Sequence, residues 1–246
     1  MSEQHYTGLV AEWYDDFLRD EHADLELYRG ELHGVAGPVL ELGCGTGRML
    51  LALSDNGWDV DGVDVSTDML ERCRAKAEAR GFSPRLLAAP MRAFDMAKSY
   101  AAVLIAGGSL QLAAEEDEAA DVLRTAHRHL RPGGLLLFDV DLVAPSSTSD
   151  WTLGRVAVRG EESVEYHFTN SFDVESGINT IQTRYRHWRD GAVQVELHDT
   201  LLMHVFTHEQ ILALLQQSGF AVRQYRDVCL FDAHPGSRLY IAERIH

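Results

Sequence analysis

Val39-Leu40-Glu41-Leu42-Gly43-Cys44-Gly45-Thr46-Gly47-Arg48 is an apolar run that holds one acid and then breaks into three alternating glycines. Its reading decides the fold. Residues 39–42 have the character of a buried parallel strand, and the glycines that of a turn into a helix laid over a ligand. Without a Cβ, glycine takes positive φ freely and lets the main chain approach a bound molecule to contact distance. An ordinary strand-to-helix junction can carry the same glycines, so the flanking chain has to decide between the two.

Downstream, residues 48–54 continue as a helix stopped by Asn56-Gly57. Residues 60–65 alternate as a second strand ending near Asp64. Ser66 then caps a helix in which Met69, Cys73 and Ala77 share a face at steps of four, and Gly81 ends it. A short strand at 85–88 leads into Pro90-Met91-Arg92, and the fully apolar run 101–106 reads as a strand buried on both faces. Residues 115–130 form a helix with acids in its first turn, favourable for the macrodipole, and with Leu123, Ala126 and Leu130 on its inner face. Arg131-Pro132-Gly133-Gly134 is a tight turn into a fifth strand at 135–140. Alternation at these lengths predicts an α/β fold with a doubly wound, mostly parallel sheet.

Ahead of the glycine turn, Leu9, Trp13 and Phe17, then Leu25, Leu27, Tyr28 and Leu32, recur near helical spacing on either side of Asp20-Glu21-His22. Two amphipathic helices are expected there. Beyond residue 150 the period changes to two: 164–172, 180–188 and 193–205 alternate, joined by Ser176-Gly177 and by Asp190-Gly191, the latter a strong hairpin signal. This is an antiparallel insertion, because helical and strand patterns resume after it. Thr207 caps a helix through Gln217, Gly219 stops it, and 220–228 and 239–244 close the sheet as two more strands.

A chain of 246 residues with 46% hydrophobic content can bury one full α/β core without a second domain. Its 38 acids against 22 bases give a net charge of -16, a field that repels phosphate backbones and anionic membranes, so neither nucleic acid nor membrane is an expected partner. Cys44, Cys73 and Cys229 are odd in number, widely spaced and without a C-x-x-C, which argues for a reducing compartment and against a disulfide framework or a zinc site. Residues 1–20 carry neither a basic n-region nor an apolar h-region, and no stretch approaches the ~18 continuous apolar residues of a membrane span. A soluble, cytoplasmic protein is expected, and the sequence leaves its assembly open, a homodimer included. Among the twelve histidines, His127 and His129 point to different sides of a helix and His204 and His208 straddle an element boundary, so no metal is expected.

In an open parallel sheet the ligand lies outside the carboxyl ends of the strands, where the winding reverses. Those ends deliver Gly43-Cys44-Gly45, Asp64, Pro90-Met91, Ala106-Gly107-Gly108 and Asp139 with Asp141. A carboxylate after the second strand can accept two hydrogen bonds from a ribose diol, so adenosine-type recognition is implied. Here the resemblance becomes specific. Glu41 to Gly47, then Gly62-Val63-Asp64-Val65-Ser66 followed by Met69-Leu70, then Leu130-Arg131-Pro132-Gly133-Gly134, in that order and at those separations, resemble the class I S-adenosylmethionine-dependent methyltransferases over residues 39 to 140. A nicotinamide dehydrogenase would more typically show G-x-G-x-x-G, with the third glycine one residue later.

The resemblance implies a seven-stranded Rossmann-like sheet in a single domain over 1–246: a helical lid at 1–34, a cofactor-binding core at 35–145, the antiparallel insertion at 150–206 and the closing helix and strands at 207–246. It implies S-adenosylmethionine as cofactor, with S-adenosylhomocysteine as product. Glu41 would orient the loop and the methionine end, Gly43, Cys44 and Gly45 would pass under it, and Asp64 would hold the ribose hydroxyls. Val65, Met69 and Met91 would flank the adenine, with Pro90 and Ala106 at neighbouring strand ends. This chain has Pro90-Met91 where the family often has an acid before the methionine, and Tyr100-Ala101 where it commonly has Phe-Asp. The segment from Tyr6 to Asp15 is similar to the lid of small-molecule members, among them nucleotide-sugar and glycine-type N-methyltransferases, in which Tyr6 and Tyr14 would fold over cofactor and acceptor.

Methyl transfer from a sulfonium is an in-line displacement that asks mainly for positioning, worth ~7 to 11 kcal/mol, whereas a general base adds ~10² to 10⁴ in rate. Asp139 or Asp141 is the candidate base by position, set against a carboxylate satisfied by backbone amides at a strand end. Where the family often has a histidine after the fourth strand this chain has Gln111, which takes no proton at neutral pH. Tyr14, Asp139 and Gln111 are thus the catalytic candidates, and Tyr6, Gln111 and Tyr185 the substrate-binding ones. In the run 184–189, Tyr185 and His187 share one strand face while Arg184, Arg186 and Trp188 share the other. The function expected is transfer of a methyl group to nitrogen or oxygen of a small-molecule acceptor. The alternative is a relative of the fold without catalysis, serving as a binding or scaffold protein.

Overall fold

The computed structural model describes residues 6–19, 23–230 and 234–245. Five parallel strands, β1 (Val39–Leu42), β2 (Val60–Asp64), β3 (Leu86–Ala88), β4 (Tyr100–Ile105) and β5 (Leu130–Asp141), lie in the order β5-β4-β1-β2-β3. β1 and β4 are buried at every position, which is why both read as near-continuous apolar runs. Alternation along them sends Leu40, Leu42, Val103 and Ile105 to one core, with α5 (Glu116–His129) and α6 (His208–Gln217). Val39, Ala102 and Leu104 go to the other, with α2 (Ala23–Glu31), α3 (Arg48–Asp55) and α4 (Thr67–Ala79). β1 pairs with β2 on one side and with β4 on the other, so the winding reverses between β1 and β4. That is the crevice where an open α/β sheet binds its ligand.

The expected caps form. Ser66 accepts from the Met69 amide, and Thr207 makes a reciprocal capping box with Gln210. β10 (Phe220–Leu230) and β11 (His234–Arg244) close the sheet antiparallel against β5, giving seven strands in the order β10-β11-β5-β4-β1-β2-β3. Two strands start earlier than expected, β11 at His234 rather than 239 and β5 at Leu130 rather than 135. α5 ends at His129, and Leu130 is already extended and paired with Tyr100; the next pair is Ala102 with Leu135, so 131–134 bulge out of the strand instead of preceding it as a turn. A Cβ at Gly134 would stand 2.9 Å from the Arg131 carbonyl oxygen, which keeps that position glycine.

The insertion is a separate four-stranded antiparallel sheet, β6 (Thr148–Arg159), β7 (Glu162–Asp173), β8 (Ile178–Arg189) and β9 (Ala192–His204). β6 escapes the alternation expected of a strand because its pairing slips twice, between Thr148 and Thr152 and between Leu153 and Arg155. α1 (Gly8–Phe17) lies against this sheet: Trp13 packs with Ala157 and Val164 beside His187, and the Arg159 guanidinium stacks 4.1 Å from the Trp13 ring centroid. The same helix is tied to the core, where Asp15 accepts from Thr46 Oγ1 at 2.5 Å and from Lys76 Nζ at 2.7 Å. The break expected at Asp20-Glu21-His22 lies outside the described residues. Among those described, no helix is long and apolar enough to cross a membrane, and no group of three His, Cys, Asp or Glu could hold a metal.

Candidate functional site

Two adjoining cavities of about 240 and 220 Å³ open at the reversal point and share Tyr14, Gly43, Gly45, Gly107 and Ser109 as walls. Together they fall within the roughly 300 to 1,000 Å³ of small-molecule sites. The first also has Glu41, Cys44, Thr46, Arg48, Ala106 and Arg155; the second has Tyr6, Asp64, Val65, Met69, Pro90 and Met91. Every expected cofactor-contacting residue therefore lines one or the other.

The three alternating glycines have different work. Gly45, at φ +52°, has nothing within 4 Å of where a Cβ would sit, so its main chain fronts the open cavity. Gly47 serves packing: at φ +83°, a Cβ there would stand 2.5 Å from Cys73 Sγ, so only glycine lets α3 begin against α4. The loop is pinned by Asp64, whose Oδ2 accepts from the Gly45 amide at 2.8 Å while Oδ1 accepts from the Ser66 amide at 2.8 Å. Burial raises the Asp64 pKa, and those amide bonds offset part of the rise. Each oxygen keeps a lone pair for a ligand hydroxyl.

Glu41 is 4% exposed and its Oε2 has no hydrogen-bond partner among the described residues. Burial pushes its pKa well above the usual carboxylate range, with Arg48 opposing. Glu41 lines the first cavity, and a buried carboxylate oxygen without a donor favours a nearby cation or a proton. Arg48 does not fill the role, because Asp24 holds its guanidinium in a bidentate pair.

The base expected at the end of β5 is absent from the cavity walls. Asp139, 3% exposed, accepts from Tyr28 Oη at 2.5 Å, from the Gly107 amide at 2.9 Å and from the Gly108 amide at 2.8 Å. Burial lifts its pKa to about 6 against those three bonds. It shapes the 107–108 turn from behind. Asp141 is exposed and accepts from Ser237 Oγ. Gln111, 1% exposed, lines neither cavity: its amide donates to the His204 and Asp141 carbonyls at 2.9 and 3.2 Å and accepts from the Asp141 amide at 2.8 Å. It fastens the core to the end of β9. Tyr185 lines neither cavity and packs beside Phe17 and Tyr166, ring centroids 6.2 and 5.1 Å away. Ser109, Arg155, Leu201 and Met203 are wall residues that no sequence motif singles out.

Residues 39–134 match a family model described as a methyltransferase domain. Those residues carry the pattern of a methyltransferase domain. The chain is 33% identical over 136 residues to a putative methyltransferase of Geobacillus sp. (strain WCH70), covering 53% of this chain and 55% of that protein. It is 30% identical over 142 residues to dTDP-3-amino-3,6-dideoxy-alpha-D-glucopyranose N,N-dimethyltransferase of Streptomyces fradiae, covering 54% of each. The chain thus spans about half the length of the curated relatives it matches. Among solved structures, Streptomyces venezuelae DesVI superimposes with a TM-score of 0.79 at 19% identity, over 98% of this chain and 100% of that one. The S-adenosylmethionine-bound CalS10, an amino pentose methyltransferase from Micromonospora echinaspora, does so with a TM-score of 0.75 at 20% identity over the whole of both chains. At such identities the likeness is one of fold, insertion sheet included.

Proposed function

We propose that the protein transfers a methyl group from S-adenosylmethionine to nitrogen or oxygen of a small-molecule acceptor by in-line displacement. The observation that carries this reading is the unpartnered Glu41 Oε2 at one end of a crevice whose other end holds Asp64. That pair fits a molecule with an ammonium group and a ribose diol. The cofactor would supply a methyl group already activated on a sulfonium. Glu41 would hold the ammonium, the open main chain at Gly45 would leave room for the cofactor, and Asp64 would take the hydroxyls on its remaining lone pairs. Val65, Met69 and Met91 would flank the adenine, Pro90 standing where an acid would otherwise accept from its amino group. Tyr6 and Tyr14 would exclude water above.

Asp139 and Gln111 are committed to internal hydrogen bonds, so positioning carries the rate, and an acceptor that is a free amine needs no strong base. The reading includes a cytoplasmic, soluble protein without nucleic-acid or membrane partners, supported by three free thiols and a net charge of -16; a homodimer is compatible with it. Calorimetric titration with S-adenosylhomocysteine tests it: saturable binding is expected, and folded protein at tens of micromolar that gives no heat refutes it. A scaffold without catalysis is the second reading, and turnover of any acceptor in a labelled-methyl screen removes it.

A further inference from the structure

Pro90 brings no carboxylate to the second cavity, and the main chain around it is already engaged. Proline has no amide hydrogen. The Pro90 carbonyl accepts from the Ala93 amide at 3.0 Å, and the Arg92 carbonyl accepts from Thr125 Oγ1 at 2.8 Å. That last bond also holds α5 against residues 90–92, because Thr125 lies on the helix. One face of α5 thereby enters the cavity: Glu118 and Val122, a turn apart, line the same wall as Pro90, Met91 and Arg92.

Of the four acids at 115–118, Glu118 is the one in that wall; Glu115, Glu116 and Asp117 are exposed. Its Oε1 lies 3.8 Å from Arg92 Nη1, with the side chains 26% and 41% exposed. An ion pair of that length and exposure is worth little, so both partners can turn to a ligand at small cost. The two side chains set an acceptor beside a donor, since a carboxylate only takes hydrogens and a guanidinium only gives them. The pairing edge of adenine has the complementary order, an amino group that donates next to a ring nitrogen that accepts. Hypoxanthine, its deaminated counterpart, reverses both: a carbonyl oxygen stands next to a ring N–H.

We propose that Glu118 accepts from the adenine amino group of the cofactor while Arg92 donates to the neighbouring ring nitrogen, and that this pair makes the site selective for adenine over hypoxanthine. The proposal deepens the cofactor reading above and rests on it. An acid carried by α5 takes over the task that Pro90 leaves open after β3. A hypoxanthine nucleoside in the same pose sets its carbonyl oxygen against the Glu118 oxygens and its N–H against the guanidinium, so each contact turns from attraction to repulsion.

The test is calorimetric titration of the full chain with S-adenosylhomocysteine and with S-inosylhomocysteine, which differ only at that edge. Wild type is expected to bind the adenine compound at least about tenfold more tightly, as the loss of a hydrogen bond to a charged group requires. In Glu118→Gln, whose amide donates as well as accepts, and in Arg92→Leu, which loses the donor, that preference falls by at least about threefold. Asp117→Asn removes a charge from the same helical turn without touching the cavity, and it keeps the wild-type preference. Equal affinities in wild type, an undiminished preference in Glu118→Gln or Arg92→Leu, or an equal fall in Asp117→Asn overturns the proposal. A wild type that binds neither compound ends the cofactor reading with it; one that binds both alike ends only this proposal.

Discussion

Glu41→Gln separates what the site needs from what the fold needs, because it keeps the shape of the side chain and removes its charge. In the free protein Glu41 Oε2 is buried with no donor among the described residues, and burial holds the group's pKa well above its ordinary 4.5. A carboxyl whose folded pKa is raised contributes stability below its unfolded value and loses it as pH climbs through the folded one. Glutamine has no such loss, so at pH 8 the variant should be the more stable protein, by on the order of 1 kcal/mol, the low end of the cost of a buried unsatisfied group. For a chain of this size that is about 2 to 4 °C in Tm, shrinking towards pH 4. Cofactor binding should move the other way. Losing a charge-assisted bond to an ammonium removes about 1.5 to 3 kcal/mol, or roughly 10- to 150-fold in the Kd for S-adenosylhomocysteine. Melts at pH 4 and 8 with parallel calorimetry read both signs. A variant less stable at pH 8 with an unchanged Kd would refute the reasoning, since Glu41 would then be a structural acid.

Asp64→Ala should weaken S-adenosylhomocysteine binding by at least about tenfold, through lost diol contacts and the released Gly45 amide; an unchanged Kd in calorimetry would mean the ribose lies elsewhere. Gln111→Ala should cost about 2 to 4 kcal/mol in denaturant unfolding, because it strands buried groups of β5 and β9, yet leave cofactor affinity as it was. Tyr28→Phe removes a donor that favours the charged form of Asp139, so its destabilisation should be larger above pH 6, where that carboxyl is ionised, than at pH 4.5. Equal losses at both pH values would show that Asp139 does not titrate as described.

Most of the cofactor half is legible in the sequence because it obeys local rules. A strand buried on both faces leaves an unbroken apolar run, a glycine turn leaves glycines, the acid at 41 breaks an otherwise apolar strand and the acid at 64 ends the next one. The acceptor half is not, because it is assembled by register. Nothing local marks Leu201 and Met203 as cavity wall; their place follows from β9 pairing with β8 over its whole length. β6 is masked by two slips of pairing. Gly154, inside the slip between Leu153 and Arg155, has the character of a loop glycine, yet it clears space for the Tyr166 ring, 2.8 Å from where its Cβ would be. Gln111 and Asp139 stand at the strand ends expected of them but with a different task, since burial and donors decide whether an amide or an acid reacts or holds, and neither is written in the sequence.

α1 has its partners in two places. Arg159 of β6 donates to the Glu12 carbonyl and the Asp16 carboxylate and stacks on Trp13, while Asp15 holds the glycine loop through Thr46 and α4 through Lys76. For anyone exchanging acceptor preference between relatives of this fold, the transplantable piece is therefore discontinuous. Moving residues 148–204 without 8–17 would set a foreign sheet against a helix still keyed to Arg159, and the misfit would reach Thr46 through Asp15. Under the proposed function, acceptor choice would be inherited as a helix and a sheet separated in sequence by the whole cofactor core.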